Sequence, residues 1–225
     1  MGSSGENPLI IDYGLGNLLS LRRALEHVGV TPIISNSPSD IAKASRLILP
    51  GVGAFSKASK SLHEDGFAEQ IVDAAFRGIP ILGICLGMQL LFDEGHENGL
   101  NPGLGLIPGS IHPILGEIET DLPRTHIGWR DLVLHGSSRN DLSEKNTWKE
   151  PFYFVHSYAA VPANSPAVRA SVQYGERSIP AVVQRDRIVG LQFHPEKSRE
   201  QGLALLRTLC SPQAEDDIFQ TSTDR

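Results

Sequence analysis

Short apolar runs alternate with segments of helical periodicity through the first half of the chain. Residues 9–13 form an apolar run that ends at a glycine turn, and residues 17–28 carry apolar side chains at helical spacing. The same pattern predicts strands at 31–35, 46–50 and 79–84 and helices at 39–44 and 61–77, the second broken at Gly66. This order predicts a three-layer α/β fold, in which helices flank a mostly parallel sheet and functional loops follow the strands.

The second half of the chain changes to short β runs separated by turns. The predicted strands cover residues 126–134, 152–161, 168–174, 181–185 and 187–193. Antiparallel pairing suits these runs best, and residues 198–210 predict a closing helix. The polar stretch 136–150 predicts a surface loop. We therefore expect a single domain over 9–210, a flexible extension over 1–8 and a disordered acidic tail over 211–225.

Composition narrows the class of protein. The chain has 225 residues and a net charge of -6, which argues against a general affinity for nucleic acid. No apolar stretch approaches the roughly 18 residues of a membrane span, and the first residues lack a secretory pattern. Cys85 and Cys210 are the only two cysteines, which we expect to be free thiols in a reducing cytoplasm.

The segment around Cys85 carries the strongest chemical signal. Cys85 directly follows the strand predicted at 79–84, stands between Gly83 and Gly87, and precedes a helix-like sequence. This pattern is typical of a nucleophile at a sharp strand-to-helix turn, where helix amides stabilise negative charge on the sulfur. A buried core cysteine is the alternative, because free cysteine is among the most buried residue types.

Two loops supply candidate partners for that thiol. His194 and Glu196 follow a predicted strand; histidine suits a general base, and a carboxylate two residues on can orient its ring. Gly51 and Gly53 follow another strand, where inward-pointing amides can hold the oxygen of a tetrahedral intermediate. Unrelated surface charges and an ordinary turn remain the alternatives for these two loops.

A strand at residues 154–158 alternates apolar and polar side chains. It can present His156, Ser157 and Tyr158 to a substrate, or it can be a half-buried strand with one wet face. By itself the segment favours the half-buried strand.

Motifs for cofactors and metals are incomplete. Gly14 and Gly16 open like a dinucleotide fingerprint, but Leu19 stands where the third glycine belongs and no acidic residue follows about 20 residues later. The eight histidines show no short His-Xaa-Xaa-His spacing. We expect neither a nucleotide cofactor nor a metal.

Taken in order, the segments 50–53, 83–89 and 194–196 resemble those of class I glutamine amidotransferases. Residues 12–18, 126–129, 154–158 and 194–198 are similar, more narrowly, to the glutaminase subunits of imidazole glycerol phosphate synthases. The resemblance runs from about residue 9 to residue 210. It implies that Cys85 is the nucleophile, His194 the general base and acid, and Glu196 the orienting carboxylate.

The resemblance also implies roles for the residues around this triad. The oxyanion hole would be formed by amides of Gly51, Val52, Gly53 and Leu86. The amino acid head of the substrate glutamine would be held by Gln89, His156, Ser157, Tyr158 and Lys197.

A partner follows from the same resemblance. Ammonia would pass through a channel to a TIM-barrel cyclase, which makes imidazole glycerol phosphate and an aminoimidazole carboxamide nucleotide in histidine biosynthesis. The two chains would form a heterodimer with Asn17 and Trp129 on the partner-facing side. Gly51 and Gly53 would permit a peptide flip that activates the site when the partner binds its ligand.

Two alternatives keep the fold and change the function. A glutaminase serving anthranilate synthase or another synthase usually has His after Cys-Leu-Gly and Ser after His-Pro-Glu, where this chain has Met88 and Lys197. The other alternative is a non-catalytic binding subunit that retains the fold.

Overall fold

A computed structural model describes residues 7–115, 122–135, 148 and 150–211 of the chain. The first half contains β1 (Pro8–Ile11), α1 (Leu18–His27), β2 (Ile33–Ser35), β3 (Arg46–Leu49), α2 (Phe55–Glu64), α3 (Phe67–Phe76), β4 (Ile81–Ile84) and α4 (Leu86–Leu90). The rest contains β5 (Phe92–Gly95), β6 (Asn101–Pro102), β7 (Ile107–Pro113), β8 (His126–Arg130), β9 (Val133–Leu134), β10 (Phe152–His156), β11 (Tyr158–Pro162), β12 (Val168–Tyr174), β13 (Arg177–Arg185), β14 (Ile188–Leu191) and α5 (Arg199–Cys210). Short 3₁₀ turns cover Pro38–Lys43, Ser165–Ala167 and Pro195–Lys197.

One large mixed sheet organises the molecule, with strand order β2-β1-β3-β4-β14-β13-β12-β9. The strands from β2 to β14 pair in parallel, and those from β14 to β9 pair antiparallel. This confirms the predicted α/β fold with a parallel first half and antiparallel strands in the second. β14 joins the two halves because it pairs in parallel with β4 and antiparallel with β13.

The core lies on both faces of this sheet. Ile10 of β1 packs into the cluster beneath α1 and α5, while Leu9 and Ile11 pack into the cluster beneath α2 and α3. Alternate residues of a strand point to opposite faces, so a strand buried on both sides is apolar throughout. The apolar runs of the sequence are therefore central strands between two helical layers.

The smaller sheets were only partly predicted. β10 pairs antiparallel with β8, in the region where antiparallel strands were expected. A second sheet has the order β11-β7-β5-β6, and the sequence did not indicate β5, β6 or β7. The predicted break of the helix at 61–77 is confirmed, because Gly66, whose φ is 77°, separates two helices. The predicted start is wrong, because the first helix begins at Phe55.

Several of the predicted segments lie partly outside the residues that the structure describes. Residues 1–6, 116–121, 136–147, 149 and 212–225 lie outside the described residues, so most of the predicted extension, surface loop and tail are among them. Pro8, assigned to the extension, already belongs to β1. The surface-loop prediction is wrong for Trp148, which is 7% exposed because its ring packs 5.6 Å from that of Phe152.

Candidate active site

Cys85 occupies the turn between β4 and α4, in a backbone conformation that residues other than glycine rarely adopt. Its φ is 54° and its ψ is -108°. The amide of Cys85 donates to the carbonyl of Leu191 at 2.7 Å, and the amide of Gln89 donates to the carbonyl of Cys85 at 3.2 Å. Strained backbone persists only where the surroundings fix it, and it concentrates at functional sites. The thiol is thereby held at the carboxyl edge of the sheet.

The positions of Gly83 and Gly87 leave no room for a side chain. A Cβ atom on Gly87 would lie 1.8 Å from the carbonyl oxygen of Leu49, and one on Gly83 would lie 2.7 Å from the carbonyl oxygen of Gly87. Both glycines therefore permit close packing of the strand against the helix.

His194 and Glu196 follow β14, which lies beside β4 in the sheet. Because the two strands are parallel, their carboxyl ends bring residues distant in sequence to one edge. Oε1 of Glu196 accepts a hydrogen bond from Nδ1 of His194 at 2.8 Å, and both side chains are almost fully buried. Nε2 of His194 has no hydrogen-bond partner among the described residues, and His194 lines the same cavity as Cys85. A thiol, an imidazole and a carboxylate are thus brought together.

The surroundings of His194 favour its charged form. Burial acts to lower the pKa of His194, but the neighbouring Cys85 sulfur and Glu196 carboxylate outweigh burial and raise the pKa to about 10. At neutral pH the imidazole therefore carries a proton on Nε2 as well as on Nδ1. That second proton is available to a molecule in the cavity.

The cavity above Cys85 has a volume of about 330 Å³, enough for a small amino acid. Of the predicted site residues it is lined by Val52, Gly53, Cys85, Leu86, Gln89, His156, Ser157, Tyr158 and His194. Glu97, Thr125 and Val155 also line it, although the sequence did not indicate them. Burial raises the pKa of Tyr158, and the negative charge of Glu97 at this wall raises it further.

Gln89 and His156 lie in a shared hydrogen-bond network. Nε2 of Gln89 donates to the carbonyl of Tyr158 at 3.0 Å and to Oε1 of Gln192 at 3.2 Å. Nδ1 of His156 contacts the same Tyr158 carbonyl at 2.9 Å, so it carries a hydrogen, and Nε2 of His156 contacts Nδ1 of His126 at 3.0 Å. Both hydrogens on the nitrogen of the Gln89 amide are therefore used within the protein, and the amide oxygen is the atom that remains available to a ligand.

Gln192 is a further residue whose place in the site the sequence did not reveal. It is fully buried, and its Nε2 lies 3.9 Å from the sulfur of Cys85. It belongs to the same segment as His194, but nothing in its spacing distinguishes it from a buried strand residue.

The glycine loop after β3 requires its two glycines for different reasons. Gly53 has a φ of 112°, in the left-handed region, and lines the cavity beside Val52. The φ of Gly51 is not in that region; a Cβ there would lie 2.6 Å from the hydroxyl of Tyr13 and 2.8 Å from Cβ of Leu86. Gly51 is thus also required as a glycine because Tyr13 and Leu86 leave no room for a side chain. The peptide flip expected for Gly51 and Gly53 stays a prediction.

Lys197 does not join the cavity. Its side chain is exposed, and its Nζ lies 5.8 Å from the ring centroid of Tyr153. The predicted contact between Lys197 and the substrate is thus not supported, because the turn after Glu196 directs this side chain outward.

Two residues were predicted to face a partner. Oδ1 of Asn17 accepts from the amide of Ser20 at 3.3 Å and so caps α1. Trp129 is half-buried, with the guanidinium carbon of Arg199 4.5 Å from its ring centroid. Their orientation toward a partner stays a prediction.

Among the described residues, no group of three or more His, Cys, Asp or Glu side chains is arranged to hold a metal ion. Within the same ranges, no helix has both the length and the apolar character needed to cross a membrane.

Comparison with known proteins places the chain in a family. Residues 9–210 match the family described as Glutamine amidotransferase class-I. The imidazole glycerol phosphate synthase subunit HisH of Geobacillus thermodenitrificans (strain NG80-2) is 45% identical over 201 residues, 88% of this chain and 92% of that relative. The subunit of the same name from Salinibacter ruber (strain DSM 13855 / M31) is 42% identical over 216 residues, 94% of this chain and 97% of the relative.

Solved structures agree on the fold. PurLQS from Thermotoga maritima aligns with a TM-score of 0.66 at 17% identity, covering 91% of this chain and 98% of that chain. A solved glutamine amidotransferase aligns with a TM-score of 0.64 at 19% identity, covering 89% and 96%. On the family match and the sequence relatives together, the chain belongs to the class I glutamine amidotransferases, as a HisH subunit of the imidazole glycerol phosphate synthases.

Proposed function

We propose that this protein hydrolyses glutamine to glutamate and ammonia through a γ-glutamyl thioester on Cys85. The observation that carries the proposal is the meeting of Cys85, His194 and Glu196 at one sheet edge, with Cys85 and His194 lining a cavity of about 330 Å³. Membership of the class I glutamine amidotransferases indicates that the substrate is the side-chain amide of glutamine. The geometry of the site supports the roles of the individual residues.

The reaction begins with a pair of opposite charges. Since the pKa of His194 is raised to about 10 by Cys85 and Glu196 against the effect of burial, the resting imidazole is protonated beside a sulfur that can carry the negative charge. The thiolate attacks the side-chain amide carbon of glutamine and forms a tetrahedral intermediate. Amides of Leu86 and of the Gly51–Val52–Gly53 loop are suited to hold its oxygen, because Val52, Gly53 and Leu86 border the cavity next to Cys85.

Proton transfer by His194 completes both halves of the cycle. Nε2 gives its proton to the departing nitrogen, ammonia leaves, and the carbonyl remains bound to sulfur as a thioester. Nε2, now basic, takes a proton from water, which attacks the thioester carbon and releases glutamate. Glu196 keeps the ring oriented throughout through its 2.8 Å hydrogen bond to Nδ1.

The cavity wall offers groups that match the rest of a glutamine molecule. The carboxylate of Glu97 suits an α-ammonium group, since one of its oxygens already receives the Phe55 amide at 2.6 Å and is fixed in place. The oxygen of the Gln89 amide suits an N–H donor, because its nitrogen is fully used by Tyr158 and Gln192. Ser157 and Tyr158 complete this wall.

The chain is a glutamine-utilising subunit that works with a partner synthase subunit. We propose that the partner is the cyclase of imidazole glycerol phosphate synthase, which uses the ammonia in histidine biosynthesis. The support is the name shared by relatives at 45% and 42% identity. A reduced thiol is required at Cys85, which favours the cytoplasm as the compartment.

A mixing experiment tests both parts of the proposal. Glutamate release is measured for the chain alone, with the cyclase, and with the cyclase plus its nucleotide ligand, and an anthranilate synthase subunit serves as the competing partner. We expect stimulation by the cyclase and none by the anthranilate subunit; the reverse result would overturn the partner assignment.

The Cys85→Ala variant tests the chemistry in the same assay. We expect glutamate release to fall by about 10³-fold or more, because no other thiol lies in the cavity. Binding of the variant to the cyclase is its control for folding. Undiminished glutamate release by a variant that still binds would exclude the thioester route.

A further inference from the structure

We propose that Gln192 is an additional catalytic residue: its side-chain amide donates to the sulfur of Cys85 and stabilises the thiolate, in an orientation fixed by Gln89 and the carbonyl of Tyr158. The proposal rests on the proposed function in one respect, that Cys85 is the nucleophile. It concerns a residue for which neither the sequence pattern nor the resemblance gave a role.

Besides the His194 imidazole, the sulfur of Cys85 has two uncharged polar neighbours, and these have opposite preferences. The carbonyl oxygen of Val155 lies 3.9 Å from Sγ and accepts a hydrogen bond only from the neutral thiol. Nε2 of Gln192 lies 3.9 Å from Sγ on a fully buried side chain and donates, an interaction that strengthens when the sulfur becomes negative. Gln192 is therefore a second neighbour, after the charged His194, that favours ionisation of the thiol.

An amide can present either its oxygen or its nitrogen to the sulfur, and here the network decides. The carbonyl of Tyr158 can only accept, so the Gln89 amide must present its nitrogen there, at 3.0 Å. The second hydrogen of that nitrogen points to Gln192 at 3.2 Å, which requires the oxygen of Gln192 on this side. The nitrogen of Gln192 is thereby directed at Cys85. The Tyr158 carbonyl therefore decides the donor-to-acceptor direction of all the hydrogen bonds from Gln89 to the sulfur.

Gln192 is held in this position from both ends. Its backbone amide donates to the carbonyl of Ala181 at 2.9 Å, which ties it to the neighbouring strand β13. It is fully buried and does not line the cavity, so its side chain makes no contact with a molecule there. A change at Gln192 should therefore alter the reactivity of the sulfur and leave glutamine binding nearly unaffected.

Alkylation of Cys85 by iodoacetamide tests the proposal without glutamine or a partner. The Gln192→Glu variant keeps nearly the same side-chain shape but replaces the N–H donor by a carboxylate oxygen, which can only accept. The Gln192→Met variant removes the donor without adding a charge. We expect the alkylation rate at pH 7 to fall by about three- to tenfold in Gln192→Met and by more in Gln192→Glu. The pH at which alkylation is half-maximal should rise in both variants. Peptide mass spectrometry assigns the modified cysteine.

Gln173→Glu is the matched control, since Gln173 is an exposed glutamine of β12. The alkylation rate of Cys85 in this control should stay within about twofold of the rate in the parent protein. If burying a carboxylate prevents Gln192→Glu from folding, Gln192→Met decides the question. Alkylation rates and pH profiles of Gln192→Met that match the control would overturn the proposal.

Turnover in the complex gives a second readout. We expect kcat for glutamine to fall in step with the alkylation rate, while the KM for glutamine changes by less than about twofold. A rise in KM with unchanged kcat would instead mean that Gln192 supports glutamine binding, and would overturn the catalytic role. Failure of the glutaminase proposal is separable, because the alkylation results need no glutamine.

Discussion

At the scale of single residues, the two cysteines show how surroundings decide chemistry. Cys85 borders the cavity and faces a hydrogen-bond donor, whereas Cys210 lies in the last turn of α5 with 2% of its surface exposed. Burial raises the pKa of Cys210 to about 12, although the charge of Arg46 acts to lower it. A thiol in that state is a poor nucleophile at neutral pH.

We therefore predict that iodoacetamide at pH 8 modifies Cys85 in the folded protein and leaves Cys210 unmodified. In guanidinium chloride both cysteines should react at similar rates, as peptide mass spectrometry would measure. Cys85→Ala is the control and should take up no label while folded. Labelling of Cys210 in the folded protein at its unfolded rate would refute this prediction.

At the scale of elements, local determinants were visible in the sequence and distant ones were not. The turn at Cys85 was predicted because an apolar run and two glycines stand next to it. The start of α2 at Phe55 was missed because the residue that caps it is distant in sequence. The Phe55 amide donates to the carboxylate of Glu97, and Ala54 has no side chain that could cap the helix. A helix start of this kind leaves no local signature.

The same distinction applies to the small sheet and the site. β7 contains Pro108 and Gly109, and its pairing with β5 and β11 depends on strands remote in sequence. Cys85, His194 and Glu196 were indicated by local motifs and by the resemblance. Glu97 and Gln192 approach the cavity and the sulfur only through the tertiary fold, so no local pattern marks them.

The tight contact between α4 and β3 gives a prediction at this scale. In Gly87→Ala the new methyl group would lie 1.8 Å from the Leu49 carbonyl oxygen, so the helix or the strand must move. We expect the free energy of unfolding to fall by about 3 kcal/mol or more, together with loss of glutaminase activity. Urea titration followed by circular dichroism measures the first effect.

Gly78→Ala is the control for that substitution. Gly78 has a φ of 78° and no atom within 4 Å of a new Cβ, so only backbone strain of about 1 kcal/mol is expected. If Gly87→Ala cost no more than Gly78→Ala, the close packing of α4 on β3 would not be what requires a glycine.

At the scale of the whole molecule, buried histidines with opposite shifts govern the response to pH. The pKa of His156 is lowered to about 3, chiefly by burial and against the Tyr158 carbonyl, with the charges of His126 and His194 lowering it further. Burial and then the charge of Arg130 lower the pKa of His126 to about 4. Both rings are therefore neutral at pH 7, and the unprotonated Nε2 of His156 can accept the hydrogen bond from Nδ1 of His126 at 3.0 Å.

The lowered and raised pKa values affect the free energy of unfolding in different pH ranges, the lowered ones at acid pH and the raised one at alkaline pH. As pH falls below about 6.5, the unfolded chain binds protons at His126 and His156 while the folded chain does not, so the free energy of unfolding decreases. The contribution of His194, whose pKa is raised to about 10, is complete below pH 6.5 and is lost only as pH rises toward 10. The slope between pH 6.5 and 4.5 therefore contains His126 and His156, together with His112, whose pKa is lowered chiefly by burial, and not His194.

His126→Asn tests this assignment, because asparagine can keep a donor toward His156 but cannot titrate. We expect the loss of unfolding free energy between pH 6.5 and 4.5 to shrink by about 2 kcal/mol in this variant. Urea titrations at several pH values measure that slope, and the slope is independent of any constant cost of the smaller side chain. Gln173→Asn, at an exposed position of β12 and without any change of a titratable group, should keep the parental slope. Equal slopes in the two variants would show that His126 takes up its proton in the folded and unfolded chains alike.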